Sequence, residues 1–493
     1  MNTDFSFYNA FVELFTKQDS SLQFSTIKFW ILFVVFFAFF ISIRNWKRTV
    51  MMSYVIVFSL FIAYKANGWY MALLPATMLT SWWLTEAMKR ATGKKTRKWW
   101  LAAIVVIDLM PLLYFKYTNF FIASINSLFH SNFALLDILL PVGLSFYTFQ
   151  TISYSVDVYK RKISYDVDLL EYAFYITFFP LLFAGPITRT DTLVPQLRQR
   201  KKVDQMLVNT GFWLLLLGLL KKGLVADYIA EYNNWVFDEP TAYSGFEVFM
   251  GTIGFHVQLY CDFSGYSDMA IGLAAIMGFK LLPNFNSPYK SLNVTEFWRR
   301  WHISLSTWFR DYLYIPLGGN RKGEARTYLN NFVTMVVAGL WHGASWMFVI
   351  WGGIHGAALV VHKACRQLFL DKIKDTWWVK LAAWTLTMVT VWTAWIFFRA
   401  KDMNTLSDVF SQVFCNFDGA YLQPFVQRRT MWVVFVMVAL ILHVCLPESW
   451  ETKIKGWVIK AHWIVKLIIF ALVVQLIINF SQNGVQPLLY SQF

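Results

Sequence analysis

The chain has 493 residues, of which 57% are hydrophobic, 19% aromatic and only 15% charged, whereas a soluble domain carries about a quarter charged residues. Apolar runs long enough to cross roughly 30 Å of hydrocarbon recur along it, which excludes a water-soluble globular enzyme, and the alternating segments of about ten residues that mark a transmembrane β-barrel are missing. Its 44 Lys plus Arg outnumber 29 Asp plus Glu, a net charge of +15, yet the positives fall in short clusters between hydrophobic runs, as the positive-inside rule arranges them; the expected partner is a lipid bilayer and no nucleic acid.

In chain order, residues 1–26 mix polar and apolar types and show no cleavable signal peptide. Residues 27–43 form a first retained span, followed by Arg44, Lys47 and Arg48, which hold its far end in the cytoplasm and place the N-terminus outside. Residues 50–64 and 69–88 follow as a hairpin turning at Asn67-Gly68, and the return runs into the dense basic cluster KRATGKKTRK. Residues 99–121 make the next span, with Asp108, Pro111 and Lys116 in it, and 138–159 return to Lys160-Arg161-Lys162. The run 172–187 begins and ends beside basic stretches (160–162 and 189–202) and carries Gly185-Pro186 near its exit. Both ends on one side imply a re-entrant or broken segment, tolerated at membrane depth only where protein or a cavity covers it.

Apolar runs at 207–220, 246–277, 328–340, 344–361, 378–398, 431–446 and 463–480 complete the chain. The reading is an all-α integral membrane protein with about ten to twelve membrane-embedded helices, the broken segment pointing to an internal cavity. No linker or repeat divides it, so one polytopic domain is expected over 1–493. The four cysteines, Cys261, Cys365, Cys415 and Cys445, lie far apart without metal-ligand spacing. No metal and no resident cofactor are expected.

Ionisable groups in such a chain mark function by default, and they concentrate between Asn284 and Gly356. Asn293-Val-Thr-Glu296 has the form of a capping box and predicts one helix through Trp298, Arg299, Arg300 and His302 to Asp311, ended by Pro316 and Gly318-Gly319. On that helix Thr295, Trp298, His302, Leu305 and Phe309 share a face, and the arginines are free for phosphate or lipid headgroups. An interfacial helix touching anionic lipid would carry the same pattern. The sequon at Asn293 is set aside, because its basic neighbours place it on the cytoplasmic side. Beyond, Trp341-His342-Gly343 sits in an apolar segment. A neutral imidazole buried among Trp residues serves as a general base for a hydroxyl, or else as a core residue bonding a neighbouring helix. His355 reads as structural, since a helix continuing through both would set the two rings on nearly opposite faces. His256, Tyr260, Asp262, Ser264 and Asp268 form a second polar cluster, read as helix-to-helix hydrogen bonds.

The series FKYTNFF, LPVGLSFYTFQTISYSVDVYK, FFPLLFAGPITR, GLLKKGLVAD, YCDFSGYSDMAIGLA, NFNSPYKSLNVTEFWRRWHISLSTWFRDYLYIPLGGNRKG and LWHGASW resembles the membrane-bound O-acyltransferases, a resemblance that covers about 100–400 of the chain. It is most similar to their bacterial branch, which contains the alginate O-acetylation, peptidoglycan O-acetyltransferase and teichoic-acid D-alanylation membrane proteins. The resemblance implies a catalytic His342 and a second family histidine at His302, with Trp298, Arg299, Arg300, Asp311, Trp341, Arg321 and Lys322 as donor- or substrate-binding candidates. It implies a tunnel in a bacterial inner membrane. A cytoplasmic thioester donor, acetyl-CoA or a carrier-protein thioester, would enter from within, and an extracytoplasmic SGNH-type partner would pass the acetyl group to a glycan. The tail QPLLYSQF keeps only part of the branch's aromatic C-terminus, which meets that partner. A lipid or protein acyltransferase of the same superfamily and a polyanion exporter stay open as alternatives.

Overall fold

The computed structural model describes residues 22, 24–199, 204–368, 373–374, 376–480 and 486–489. The expected external N-terminus, part of the basic stretch 189–202 and tail residues 490–493 lie outside the described residues. Helices account for all regular structure among the described residues, as expected of a chain whose backbone polar groups must be satisfied inside lipid. Five helical runs are long and apolar enough to cross a bilayer: Arg48–Arg90, Lys94–Phe129, Trp346–Leu368, Trp377–Arg399 and Trp463–Phe480. The bent pair Gly419–Arg428 and Thr430–Cys445 adds a sixth if it is one span.

Contacts group the chain into two compact units. The first, residues 1–204 with 277–281, holds α1 (Ile27–Ile43), α2 (Arg48–Asn67), α3 (Leu73–Arg90), α4 (Lys94–Leu112) and α5 (Thr118–Phe129). It continues with α6 (Leu144–Tyr159), α7 (Leu169–Thr177), α8 (Phe179–Leu182) and α9 (Thr190–Arg198). α1 starts where the Thr26 hydroxyl accepts the Phe29 N–H, and it turns Ile27, Ile31, Val34 and Phe39 outward while Phe29, Phe33, Phe36 and Phe40 are buried. That one-sided aromatic stripe is how a span packs on protein and still faces lipid.

The run expected to be re-entrant is broken: α7 stops at Thr177, and Pro180 begins the one-turn α8. Asp168 and Glu171 form a capping box at the start of α7. The same Glu171, its side chain fully buried, takes ion pairs from Arg48 (2.9 Å) and Arg198. Inside this unit Asp108 accepts the Ser81 hydroxyl at 3.0 Å, so the acidic residue in the fourth helix is held by α3.

The second unit, residues 205–276 and 282–493, is built on the long α12 (Gly245–Ile276), preceded by α10 (Gln205–Leu219) and α11 (Asp227–Asp238). Then come α13 (Val294–Arg300), α14 (Ile303–Phe309), α15 (Glu324–His342), α16 (Trp346–Leu368) and α17 (Trp377–Arg399). The unit ends with α18 (Met403–Cys415), α19 (Leu422–Arg428), α20 (Thr430–Leu440), α21 (Glu448–Lys460) and α22 (Trp463–Phe480). α10 crosses α12 at glycines: a Cβ on Gly218 would stand 2.5 Å from the Gly265 carbonyl oxygen, the small-residue contact that brings helices close where no hydrophobic effect draws them together.

Lys221 and Lys222, a basic pair that follows the apolar run 207–220, point inward from a π-helical turn, Leu220–Ala226. Lys221 pairs with Asp268 at 2.8 Å. Lys222, only 1% exposed, pairs with Asp227 at 2.7 Å and Asp262 at 2.5 Å. The tail closes this cluster: Lys222 Nζ donates to the Gln486 carbonyl (3.0 Å) and the Leu489 N–H to Asp262 Oδ2 (3.0 Å). Part of the second polar cluster is therefore an ionic anchor for the C-terminus.

Candidate functional site

Two local breaks, neither marked by a proline, shape the site. The capping box at Asn293 forms as expected, its side chain accepting the Glu296 N–H at 2.8 Å. The helix expected to continue to Asp311, however, ends at Arg300, with Trp301 extended and His302 in the left-handed region at φ 43°. A non-glycine residue there stores strain of about 1–3 kcal/mol. The compensation is Asn284. Its carbonyl accepts the Ile303 N–H (2.8 Å), and its side-chain oxygen accepts the Ser304 N–H (3.2 Å) and hydroxyl (2.9 Å).

This bonding fixes the chemistry of His302. A backbone N–H can only donate, so the Asn284 atom receiving it is the oxygen, and His302 Nδ1, 3.2 Å from the same atom, must carry a hydrogen. The neutral ring then keeps its lone pair on Nε2. His302 is fully buried, with Phe263 edge-on at 4.6 Å and Trp341 at 6.3 Å between ring centroids. An imidazole oriented by a second polar group at one nitrogen and basic at the other is the arrangement general-base catalysis uses.

The second break lies at Gly343. His342 is the last residue of α15 rather than a mid-helix residue, and α16 begins at Trp346. The two helices pack backbone to backbone: a Cβ on Gly339 would lie 2.2 Å from the Phe348 carbonyl oxygen, and one on Gly352 2.4 Å from that of Met335. This close crossing sets the His342 ring among Trp341 (4.9 Å), Trp351 (5.0 Å) and Phe398 of α17 (5.5 Å), nearly perpendicular to each. His342 is 4% exposed. Because the chain breaks between them, His342 and His355 are not on opposite faces of one helix. Both flank Trp351, with His355 at 4.9 Å from it.

The structure therefore gathers His302, Trp341, His342 and Trp298 into one aromatic cluster; Trp298 donates its indole N–H to His355 Nδ1 at 3.3 Å and meets Trp351 at 5.8 Å. The cationic candidates are elsewhere. Arg300 is committed to Glu296 (2.9 Å) and the Asn286 carbonyl (3.2 Å), and Asp311 pairs with Arg310 (2.8 Å). Arg299, Arg321 and Lys322 are exposed. Sequence reasoning missed Asn284, Trp351 and Phe398. The i, i+4 spacing of Trp351 and His355 was readable; the Asn284 contact, across eighteen residues of sequence, was not.

If Asn284 orients His302 for catalysis, Asn284→Leu should lower the turnover rate about 10²-fold. Asn284→Asp, which keeps an oxygen for all three donors, should retain clearly more, as read by initial rates in isolated membranes.

Residues 99–398 match the model of the membrane-bound O-acyltransferase family. The chain is 40% identical over 351 residues to the probable alginate O-acetylase AlgI of Azotobacter vinelandii, covering 70% of this chain and 69% of that protein. It is 42% identical over 330 residues to the probable alginate O-acetylase AlgI of Pseudomonas aeruginosa, covering 66% of this chain and 62% of that one. To the peptidoglycan O-acetyltransferase of Helicobacter pylori it is 35% identical over 378 residues, 71% of each.

Proposed function

Because the chain belongs to the membrane-bound O-acyltransferase family, we propose that this membrane acyltransferase moves an acetyl group from a cytoplasmic thioester across a bacterial inner membrane, for O-acetylation of an exopolysaccharide or cell-wall glycan. The observation that carries this reading is that two buried imidazoles, His342 and His302, both lie against Trp341. Its similarity to a probable alginate O-acetylase and a peptidoglycan O-acetyltransferase supports a glycan acceptor.

In this mechanism a tunnel leads to His342 from both sides of the membrane. The donor, acetyl-CoA or a carrier-protein thioester, approaches with its phosphates toward exposed Arg299, Arg321 and Lys322. His342 removes the proton from the incoming hydroxyl as its oxygen bonds to the thioester carbon. His302, whose Nε2 is a lone-pair nitrogen in the tautomer Asn284 holds, accepts a hydrogen bond and orients the hydroxyl rather than polarising the carbonyl. The aromatic walls exclude water, which strengthens every such interaction and protects the thioester from hydrolysis. An extracytoplasmic SGNH-type partner then delivers the acetyl group to the glycan. A partner-facing role for the tail would fall on residues 490–493, beyond the anchored Leu489.

The test compares ester-linked acetate on the host's extracellular polymers with and without the chain. Loss of that acetate on deletion, restored by the gene in trans, is expected. Unchanged polymer acetylation with acyl groups missing from a lipid instead would replace this reading with lipid acylation.

A further inference from the structure

As the hydroxyl adds to the thioester, negative charge gathers on the carbonyl oxygen, and donors aimed at it lower the barrier most. His302 supplies none in its fixed tautomer, since its hydrogen is given to Asn284. Two other N–H groups are differently placed, one on Trp351, whose ring lies 5.0 Å from that of His342, and one on His355, packed against Trp351. Trp351 and His355 are four residues apart on α16 and so share a face. Their ring centroids are 4.9 Å apart, and both side chains are 0% exposed.

The tautomer of His355 follows from its neighbour. An indole nitrogen only donates, so the 3.3 Å bond from Trp298 Nε1 makes His355 Nδ1 the acceptor and puts the neutral ring's hydrogen on Nε2. Neither that Nε2–H nor the Trp351 Nε1–H has an acceptor among the described residues. Buried donors left unpaired by protein are unfavourable, and two on touching rings, one of which packs against a candidate base, mark the place for an oxygen atom.

We propose that the N–H groups of Trp351 and His355 form the subsite for the carbonyl oxygen of the acyl thioester. This assignment rests on the acyl-transfer reading above. The hydroxyl oxygen bonds to the carbonyl carbon and its proton passes to His342. The C=O electron pair moves onto oxygen, facing the two N–H groups. Collapse re-forms the carbonyl and breaks the C–S bond. The departing sulfur takes the proton back from His342, leaving an ester and a thiol. Trp298 acts as a positioning residue that keeps His355 in the donating tautomer.

The experiment uses the full chain in host membranes with radiolabelled acetyl-CoA, counting label in extracellular polymer over a range of donor concentrations. Trp351→Phe and His355→Leu should each lower the rate at saturating donor about 10²-fold, with the half-saturating donor concentration changed by less than about threefold. His355→Gln, whose amide can accept from Trp298 and still donate, should recover at least about tenfold over His355→Leu. Purified chain should bind S-ethyl-CoA, which lacks the carbonyl oxygen, equally well before and after either substitution.

Wild-type rates in both variants, with His342→Ala inactive, would overturn the subsite and leave the acyl-transfer reading standing. Rates that fall only in step with the amount of folded protein, without rescue by Gln, would assign both residues to packing and also overturn it. A parent chain that transfers no label would defeat the functional reading, and the subsite with it.

Discussion

Replacing His342 with Ala is expected to reduce acetyl transfer by about 10³-fold or more while the protein still inserts and is recovered in normal yield. The proton of the hydroxyl must leave as the new bond forms, and a positioned base contributes typically 10²–10⁴-fold to such a step. His342 sits at the end of α15, its ring against Trp341, Trp351 and Phe398. No helix depends on it for continuity, because the chain leaves helical geometry at Gly343 immediately after it. The rate loss should therefore be separable from folding. Size-exclusion profiles in detergent should match the parent's while labelled acetate in extracellular polymer drops to background. Near-normal acetylation in that variant would remove His342 from the mechanism.

The second large effect is on stability. Lys222→Met should lower stability by about 3–5 kcal/mol, the cost of removing one partner from a buried ion pair. Lys222 Nζ holds Asp227 and Asp262 together and also bonds the Gln486 carbonyl. Its loss leaves two carboxylates facing each other, 9% and 3% exposed at the side chain, and frees one end of the tail. Asp227→Asn, which keeps an acceptor without the charge, should be milder. Thermal unfolding in detergent, followed by loss of the monodisperse peak, distinguishes the three proteins. A Lys222→Met chain as heat-resistant as the parent would show that the cluster does not hold the second unit together.

Much of the architecture was legible because membrane helices are written in long apolar runs. The apolar runs at 27–43 and 463–480 coincide with α1 and α22, of which α22 is long enough to cross a bilayer and α1 is a shorter apolar helix. The basic ends of 172–187 disclosed a broken segment that the structure places at Thr177–Pro180. The ends of helices near the site were not legible. A break at Trp301–His302 has no glycine or proline to announce it; it exists because Asn284, distant in sequence, offers its backbone and side-chain oxygens to Ile303 and Ser304. The inward turn of Lys221 and Lys222 was illegible for the same reason: only the tertiary placement of Asp227, Asp262 and Asp268 supplies their partners. That His342 and His355 both meet Trp351 was likewise hidden, since a three-residue interruption between α15 and α16 changes which faces meet.

The central claim is that an acetyl group crosses the bilayer by way of the His342 cluster, and sidedness tests it most directly. Purified chain is reconstituted with the faces proposed to be extracytoplasmic outward in sealed vesicles, radiolabelled acetyl-CoA is trapped inside, and the proposed SGNH-type partner and a glycan are supplied outside. Label appearing on the outer glycan from intact vesicles, abolished by His342→Ala, is the predicted result. Label transferred only when donor and acceptor share one side of the membrane, or transferred equally by the His342→Ala chain, would contradict it.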